Sequence, residues 1–291
     1  MTLACLKNDI LATYKERLAG AVTAIAAGTE GHQVKAKEVN ARVNRVHEEL
    51  RAGIAESRAT AHNIQQQLLV LQYCTSVASL EYRHQVWPYE YMALSRRVGE
   101  LWERFCSAAW DSPSKPAVAR MEPPNFAEVE KSIRDRLAHR ELDAEARKDI
   151  DAAFDVLFEL VGEISMKEDE VFTVSGIPHV IDFKSGFGSN EKGNTLRLLT
   201  VGRTYRLWNP STQLFFLVRQ EANNNYLNVI RRSGLWDVRC GTAAYQTIDD
   251  LTGANITSIR DDIVNFERDL SPEFWHYLST HLSDLRAYLR W

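Results

Sequence analysis

The chain has 291 residues, 45% hydrophobic and 25% charged, with a formal net charge of −4. This is an ordinary soluble composition with ample material for one large domain or two modest ones. The net charge neither requires nor excludes a nucleic-acid partner, because local patches outweigh the total. The four cysteines (Cys5, Cys74, Cys106, Cys240) are scattered, without a C-x-x-C pair, and read as free thiols of a reducing cytoplasm. No histidine stands at a zinc-site spacing from a cysteine. No apolar run approaches membrane-span length, and the N-terminus lacks the apolar core of a secretion signal, so a cytoplasmic protein with no membrane partner is expected.

Residues 1–86 read almost entirely as helix: alanine, leucine and long charged residues dominate, and no proline occurs before Pro88. Gly28 to Gly31 breaks the first helix from the second, where Val39, Val43, Val46, Leu50 and Ile54 form a single apolar stripe. Ile64, Leu68 and Leu71 begin another. This region is expected to be a bundle, a dimerisation arm or a DNA-clasping arm, with a second domain over 87–291. Beyond Trp87-Pro88, the residues Tyr91, Leu94, Val98, Leu101, Trp102 and Phe105 form the buried face of a helix ending near Trp110, with Arg96, Glu100 and Glu103 on its polar side. Asp111 to Pro124 holds four prolines and reads as a loop. Two helices follow, about Phe126 to His139 and Ala144 to Ile164. Asp143 caps the second, and Phe154, Leu157, Phe158 and Val161 form its core face.

The stretch from Lys167 to Lys184 carries the chemistry. Val171–Val174 and Val180–Phe183 read as two strands of an antiparallel hairpin, with turn residues Ser175, Gly176 and Pro178 between them. Asp182 and Lys184, two residues apart, share a face. Burying either charge alone costs several kcal/mol, on the order of the penalties for unpaired ions. They form a salt bridge on a solvated face, or Asp182 binds a divalent metal while Lys184 orients a water beside it. An even loop puts Asp169 on the face of Asp182 and Lys184, and Glu168 and Glu170 on the other; a three-residue loop selects Glu170 or Glu168 instead. Two-residue loops being the commoner kind, Asp169 is expected.

Downstream, Ser185 to Asn194 is a glycine-rich polar loop that includes Asn190 and Lys192, and its backbone N–H groups could approach a phosphate. A helix from Thr195 to about Tyr205, a strand over Gln213–Val218 buried on both faces, a helix from Asn223 to Arg232, a strand near Trp236–Cys240 and a helix from Thr242 to Leu251 complete a mixed α/β core. The C-terminal 40 residues return to helix. From Thr195 to Gly241, seven arginines stand against only Glu221 and Asp237. Such a basic segment suits a polyanion, since the guanidinium fork matches phosphate oxygens and guanine edges.

Asp169, Asp182 and Lys184, arranged Asp-(x)n-Asp-x-Lys across a hairpin, resemble the PD-(D/E)xK nuclease site of many type II restriction endonucleases, with Glu168 where that pattern has proline. The stretch Gly99-Glu100-Leu101-Trp102-Glu103 resembles the helix of several restriction enzymes whose final glutamate reaches the metal site. The resemblance spans roughly Ser95 to Gly253. It implies a restriction-endonuclease-like mixed β-sheet core flanked by helices. It also implies a Mg²⁺-dependent, sequence-specific deoxyribonuclease leaving 5′-phosphates, acting as a homodimer on double-stranded DNA. In that scheme Asp169, Asp182 and Glu103 hold metal, and Lys184 orients the attacking water. Arg203, Arg206, Arg231, Arg232, Asn190 and Lys192 are placed against DNA. A repair, mobile-element or modification-dependent nuclease of the same fold is the alternative within the class, and a helical interaction protein is the alternative outside it.

Overall fold

The computed structural model describes residues 2–141, 143–161, 166–186, 192–221 and 225–291, with the side chains of 157–161 outside that description. The chain forms two compact units: Met1–Pro116 together with Thr242–Trp291, and Ala117–Gly241. This differs from the break expected at 86/87. The division falls in the proline-rich segment after Trp110, and the C-terminal helices belong with the N-terminal ones.

The discontinuous unit opens with α1 (Leu3–Ala27), α2 (His32–Ala55) and α3 (Ala61–Val86). Thr2 and Thr60 cap α1 and α3 by accepting from the N–H groups of Cys5 and Asn63. The stripe of Val39, Val43 and Val46 on α2 is buried, and α1 turns Ile10, Tyr14, Leu18 and Val22 inward at i, i+4 spacing. Helix α3 packs on both, so it is buried nearly all round, from Leu68 through Leu80. Helix α4 (Tyr91–Ser107) buries Leu94, Val98, Leu101, Trp102 and Phe105 as its periodicity predicts, and Arg96 and Arg97 pair with Glu100 on its outer side.

The Ala117–Gly241 unit is built on a five-stranded mixed sheet. Its strands are β1 (Val118–Arg120), β2 (Glu170–Val174), β3 (Ile177–Lys184), β4 (Gln213–Val218) and β5 (Asp237–Cys240), side by side in that order. Strand β2 is antiparallel to both of its neighbours, β1 and β3, and β3, β4 and β5 run parallel. Strand β1 lies in the stretch expected to be loop. It is three residues long, pairs among the described residues with β2 alone and sits among prolines, so no alternating pattern could announce it. Helices α5 (Phe126–Ala138) and α6 (Ala144–Val161) join β1 to β2, and Asp143 caps α6 through the Ala146 N–H as expected. Leu157, Phe158 and Val161, assigned to the core face of α6, lie outside the described side chains, whereas Phe154 packs against the core.

Ser175 and Gly176 form the β2–β3 turn with positive φ of 50° and 80°, the two-residue type I′ geometry whose twist suits a hairpin. Helix α7 (Lys192–Trp208) links β3 to β4, and α8 (Asn225–Ser233) links β4 to β5. Lys192, assigned to the loop, is thus the first residue of a helix that starts earlier than expected. One sheet face, made of Val171, Val180, Leu214, Phe216 and Val218, packs against Val129 and Ile133 of α5, Leu198 and Tyr205 of α7, Leu227 and Ile230 of α8, and Trp236. Gly202 lets α7 come close there. A Cβ at this position would stand 2.6 Å from Trp236 Nε1, which donates to Leu198 O at 2.8 Å.

The chain then returns to the first unit through α9 (Thr242–Thr252), α10 (Ile256–Asp262), α11 (Phe266–Asp269) and α12 (Pro272–His281). Lys7, 6% exposed, donates to Asp269 at 2.8 Å and to Ile263 O at 3.1 Å. The Tyr73 hydroxyl donates to the same carboxylate at 2.7 Å. No described helix is long and apolar enough to cross a membrane.

His84 provides a test of the packing in this unit. Its Nδ1 accepts from the Tyr89 N–H at 3.3 Å, and the Phe274 and Tyr277 rings stand 4.5 Å away. Burial, then the charge of Arg83, lowers its imidazole to about 4 from 6.5. Between those values the unfolded chain binds the extra proton, so this group's stabilisation is present above 6.5 and lost as pH falls toward 4. His84→Gln should therefore show a shallower fall in urea midpoint over this range than the wild type, and an equal slope would mean that His84 is not the titrating group.

Candidate functional site

Strand β3 ends with Asp182 and Lys184 on the face that carries Val180, and β2 begins at the same end of the sheet. The register Glu170↔Ile181, extended one step, sets Asp169 across from Asp182, as the two-residue loop requires. The Asp169 carboxylate accepts from the Phe183 N–H at 2.6 Å, continuing the ladder with a side chain. Glu170 points to the opposite face, where Arg120 of β1 holds it with two hydrogen bonds of 2.9 Å.

Glu168 departs from expectation. Strict alternation puts it with Glu170, yet it lies with Asp182. The strand starts only at Glu170, so alternation does not bind the residues before it. Helix α7 governs them instead: the Tyr205 hydroxyl donates to Met166 O, and Arg197 reaches the two acids. Arg197 Nη1 lies 2.8 and 2.7 Å from the Glu168 carboxylate oxygens, Nη2 donates to Asp182 Oδ2, and Nε donates to Asn194 Oδ1 at 3.2 Å. One guanidinium therefore bridges two acids that are 6% and 5% exposed, while remaining 44% exposed itself.

The electrostatics follow from this crowding. Burial, with a hydrogen bond and the charge of Asp182 behind it, raises the Glu168 carboxyl to about 8 against the pull of Arg197. Asp169 keeps open surface, but neighbouring protein atoms and then the charge of Asp182 raise its carboxyl to about 7. Burial opposes the charge on Arg197, and Asp182 and Glu168 outweigh it and hold the guanidinium protonated.

Lys184 is half-buried at the strand end, and its carbonyl accepts from the Arg219 N–H at 2.9 Å. The ion pair of Asp182 is with Arg197, so the Asp182–Lys184 salt bridge considered from sequence is not the one that forms. Buried Arg219 donates from Nε to Ser185 Oγ at 3.0 Å, which fixes the chain just beyond Lys184. Glu103 belongs to the other unit, half-buried on α4.

The basic segment is less free than its composition suggests. Arg206 donates to Pro210 O at 2.9 Å, Arg231 donates to Cys240 Sγ at 3.1 Å, and Arg239 pairs with Asp237 at 2.8 Å. Arg203 and Arg232 are exposed, and among the described residues neither forms an ion pair; Lys192 is exposed as well. Asn190, assigned to DNA contact, lies outside the described residues, as do Asn223 and Asn224.

No protein-family model matches the chain, and no curated protein or solved structure is similar to it. The site therefore stands on its own geometry: three carboxylates, a bridging arginine and a lysine at the strand end, of which sequence reasoning assembled Asp169, Asp182 and Lys184. Glu168 and Arg197 were missed. The signal for Glu168 was its place beside Asp169, where the resembling pattern has proline. Arg197 was visible only as one of seven arginines. Among the described residues, no three acids, histidines or cysteines stand as they would around a metal, and the place between Glu168 and Asp182 is taken by Arg197.

The Glu168 proton has a measurable consequence. Between 4.5 and about 8 the folded protein holds a proton that the unfolded chain has lost, so this group's stabilisation is complete below 4.5 and disappears as pH rises through about 8. Glu168→Gln should flatten the decline in urea midpoint over that window, and retention of the full decline would assign it to other groups.

Proposed function

We propose that the chain is a divalent-metal-dependent deoxyribonuclease with a PD-(D/E)xK-like site, acting as a sequence-specific type II restriction endonuclease with Mg²⁺. The observation that carries the reading is the convergence of Asp169, Asp182 and Lys184 at one end of the β2–β3 hairpin in the register the pattern needs. The mixed sheet, with an antiparallel hairpin running into β3–α7–β4–α8–β5, supports it as the layout of the restriction-endonuclease-like core.

The donors fit a hard cation. Asp169, Asp182 and the neighbouring Glu168 offer only carboxylate oxygens, the ligand type that Mg²⁺ takes. Asp169 and Asp182 would hold the ion. When bound, Mg²⁺ neutralises charge on the scissile phosphate and acidifies a water. Lys184, on the face of Asp182, would hold the attacking water by its Nζ and steady the negative charge that develops on phosphate oxygens. Arg203 and Arg232, exposed and among the described residues without ion pairs, would meet the DNA backbone, as would Arg206, Arg231 and Lys192, and Asn190 is assigned to the same contact. A homodimer on a palindromic site completes the reading.

A non-catalytic reading has one observation in its favour: the Glu168–Arg197–Asp182 bridge satisfies both buried acids without a metal. Incubation of phage DNA with the full chain, with and without Mg²⁺, separates the two. Mg²⁺-dependent cleavage into discrete bands is expected. Asp182→Ala and Lys184→Ala should each lower cleavage by at least about 10²-fold with the fold retained, and wild-type cleavage by either folded variant would remove that residue from the site.

The arginines give an independent measurement. Replacing Arg203 or Arg232 with alanine should weaken binding to cognate and scrambled duplexes alike and reduce the salt slope by about one unit. A loss confined to one base position, about 1–3 kcal/mol, would instead assign the residue to a guanine edge. Unchanged affinity in both variants would move the DNA surface away from α7 and α8.

A further inference from the structure

Arg197 is the solvent-reaching member of its bridge, which joins two acids whose side chains are 2% and 7% exposed to an arginine that is 44% exposed. Asp169 adds a third carboxylate beside Asp182, close enough for each charge to be felt by the other. Of the two bridged acids and the arginine that joins them, the arginine is the member with a path to solvent. The acids themselves are held on a strand and on the segment anchored by Tyr205, so they cannot follow it outward.

We propose that Arg197 is an exchangeable counter-ion: a divalent cation displaces it from Glu168 and Asp182, Glu168 becomes a ligand of that cation, and the released guanidinium binds a phosphate of the nucleic-acid substrate. This rests on the metal-dependent nuclease reading and adds to it a third acidic ligand and a coupling between metal and substrate. A dication replaces a monocation between the same carboxylates, so no buried acid is left bare. Arginine is the side chain suited to both partners, since the same fork that grips two carboxylates grips phosphate oxygens. Helix α7, which carries it, also presents exposed Lys192 and Arg203. Because metal and phosphate each favour the withdrawn arginine, each raises the affinity of the other by the same factor.

The test is Mn²⁺ binding to the full chain, read from the paramagnetic resonance of the free ion, with and without a short duplex made uncleavable by phosphorothioate linkages. Arg197→Ala should bind Mn²⁺ about tenfold tighter than the wild type. The duplex should tighten Mn²⁺ binding to the wild type and leave that of Arg197→Ala unchanged. Glu168→Gln, placed in the Arg197→Ala background, should weaken Mn²⁺ binding. If Arg197→Ala does not fold, Arg197→Lys is measured instead; a lysine cannot bridge both acids, so tighter Mn²⁺ binding than the wild type is again expected. Equal or weaker affinity in the folded arginine variant, with Asp182→Asn abolishing Mn²⁺ binding in the wild type, overturns the exchange and leaves the metal site standing. No Asp182-dependent Mn²⁺ binding in any variant overturns the metal site and the exchange together.

Discussion

Two carboxylates buried at the end of β3 need a cation, and much of the Ala117–Gly241 unit is arranged to supply one. Arg197 satisfies both only if α7 lies at a set height and rotation over the sheet. Gly202 allows the close approach, Trp236 fixes it by donating to the α7 backbone, and Tyr205 ties the same helix to the segment carrying Glu168. The acids come from β3 and from the residues before β2, so the bridge also fastens the hairpin to its crossover helix. An unpaired charge here would be penalised far more than an ordinary surface charge, because the low-dielectric surroundings that strengthen the pair also magnify its loss.

The position of this cluster follows from the sheet. Strands β3, β4 and β5 run the same way, and their C-terminal ends lie at one edge, where open α/β sheets commonly place their ligands. The antiparallel strand β2 brings Asp169 to that edge from the opposite direction. Glu170, one residue further on, is turned to the other face and held there by Arg120. Adjacent acids thus have separate duties because successive strand positions face opposite sides of the sheet.

How much of this was legible in the sequence depended on the range of each interaction. The turn at Ser175-Gly176, the alternation in β3 and the continuous apolar run of β4 are local, and each produced the element and register it implies. Glu168 departs from alternation because it stands two residues before the strand that enforces it. Arg197 meets Glu168 and Asp182 across 29 and 15 positions, and the helical period of α7 says nothing about which strand residues lie beneath it. Strand β1 was hidden by its length. The division into units was hidden because contacts between residues near the start and near the end of a chain leave no periodic trace.

That last feature has a bearing on how the chain is made. The helical unit is discontinuous: its final segment begins at Thr242, after the whole of Ala117–Gly241. Lys7 is buried and its carboxylate partner is Asp269, separated by 262 positions. During synthesis α1, α2 and α3 leave the ribosome before the sheet unit, yet the charge on Lys7 has no native counterpart until Asp269 has been translated. The sheet unit is contiguous and has all its strands before then. Order of synthesis and order of completion are therefore reversed between the two units: the helical unit is begun before the sheet unit and completed after it, and its early helices wait in a partly open state in which shielding by a chaperone would matter most.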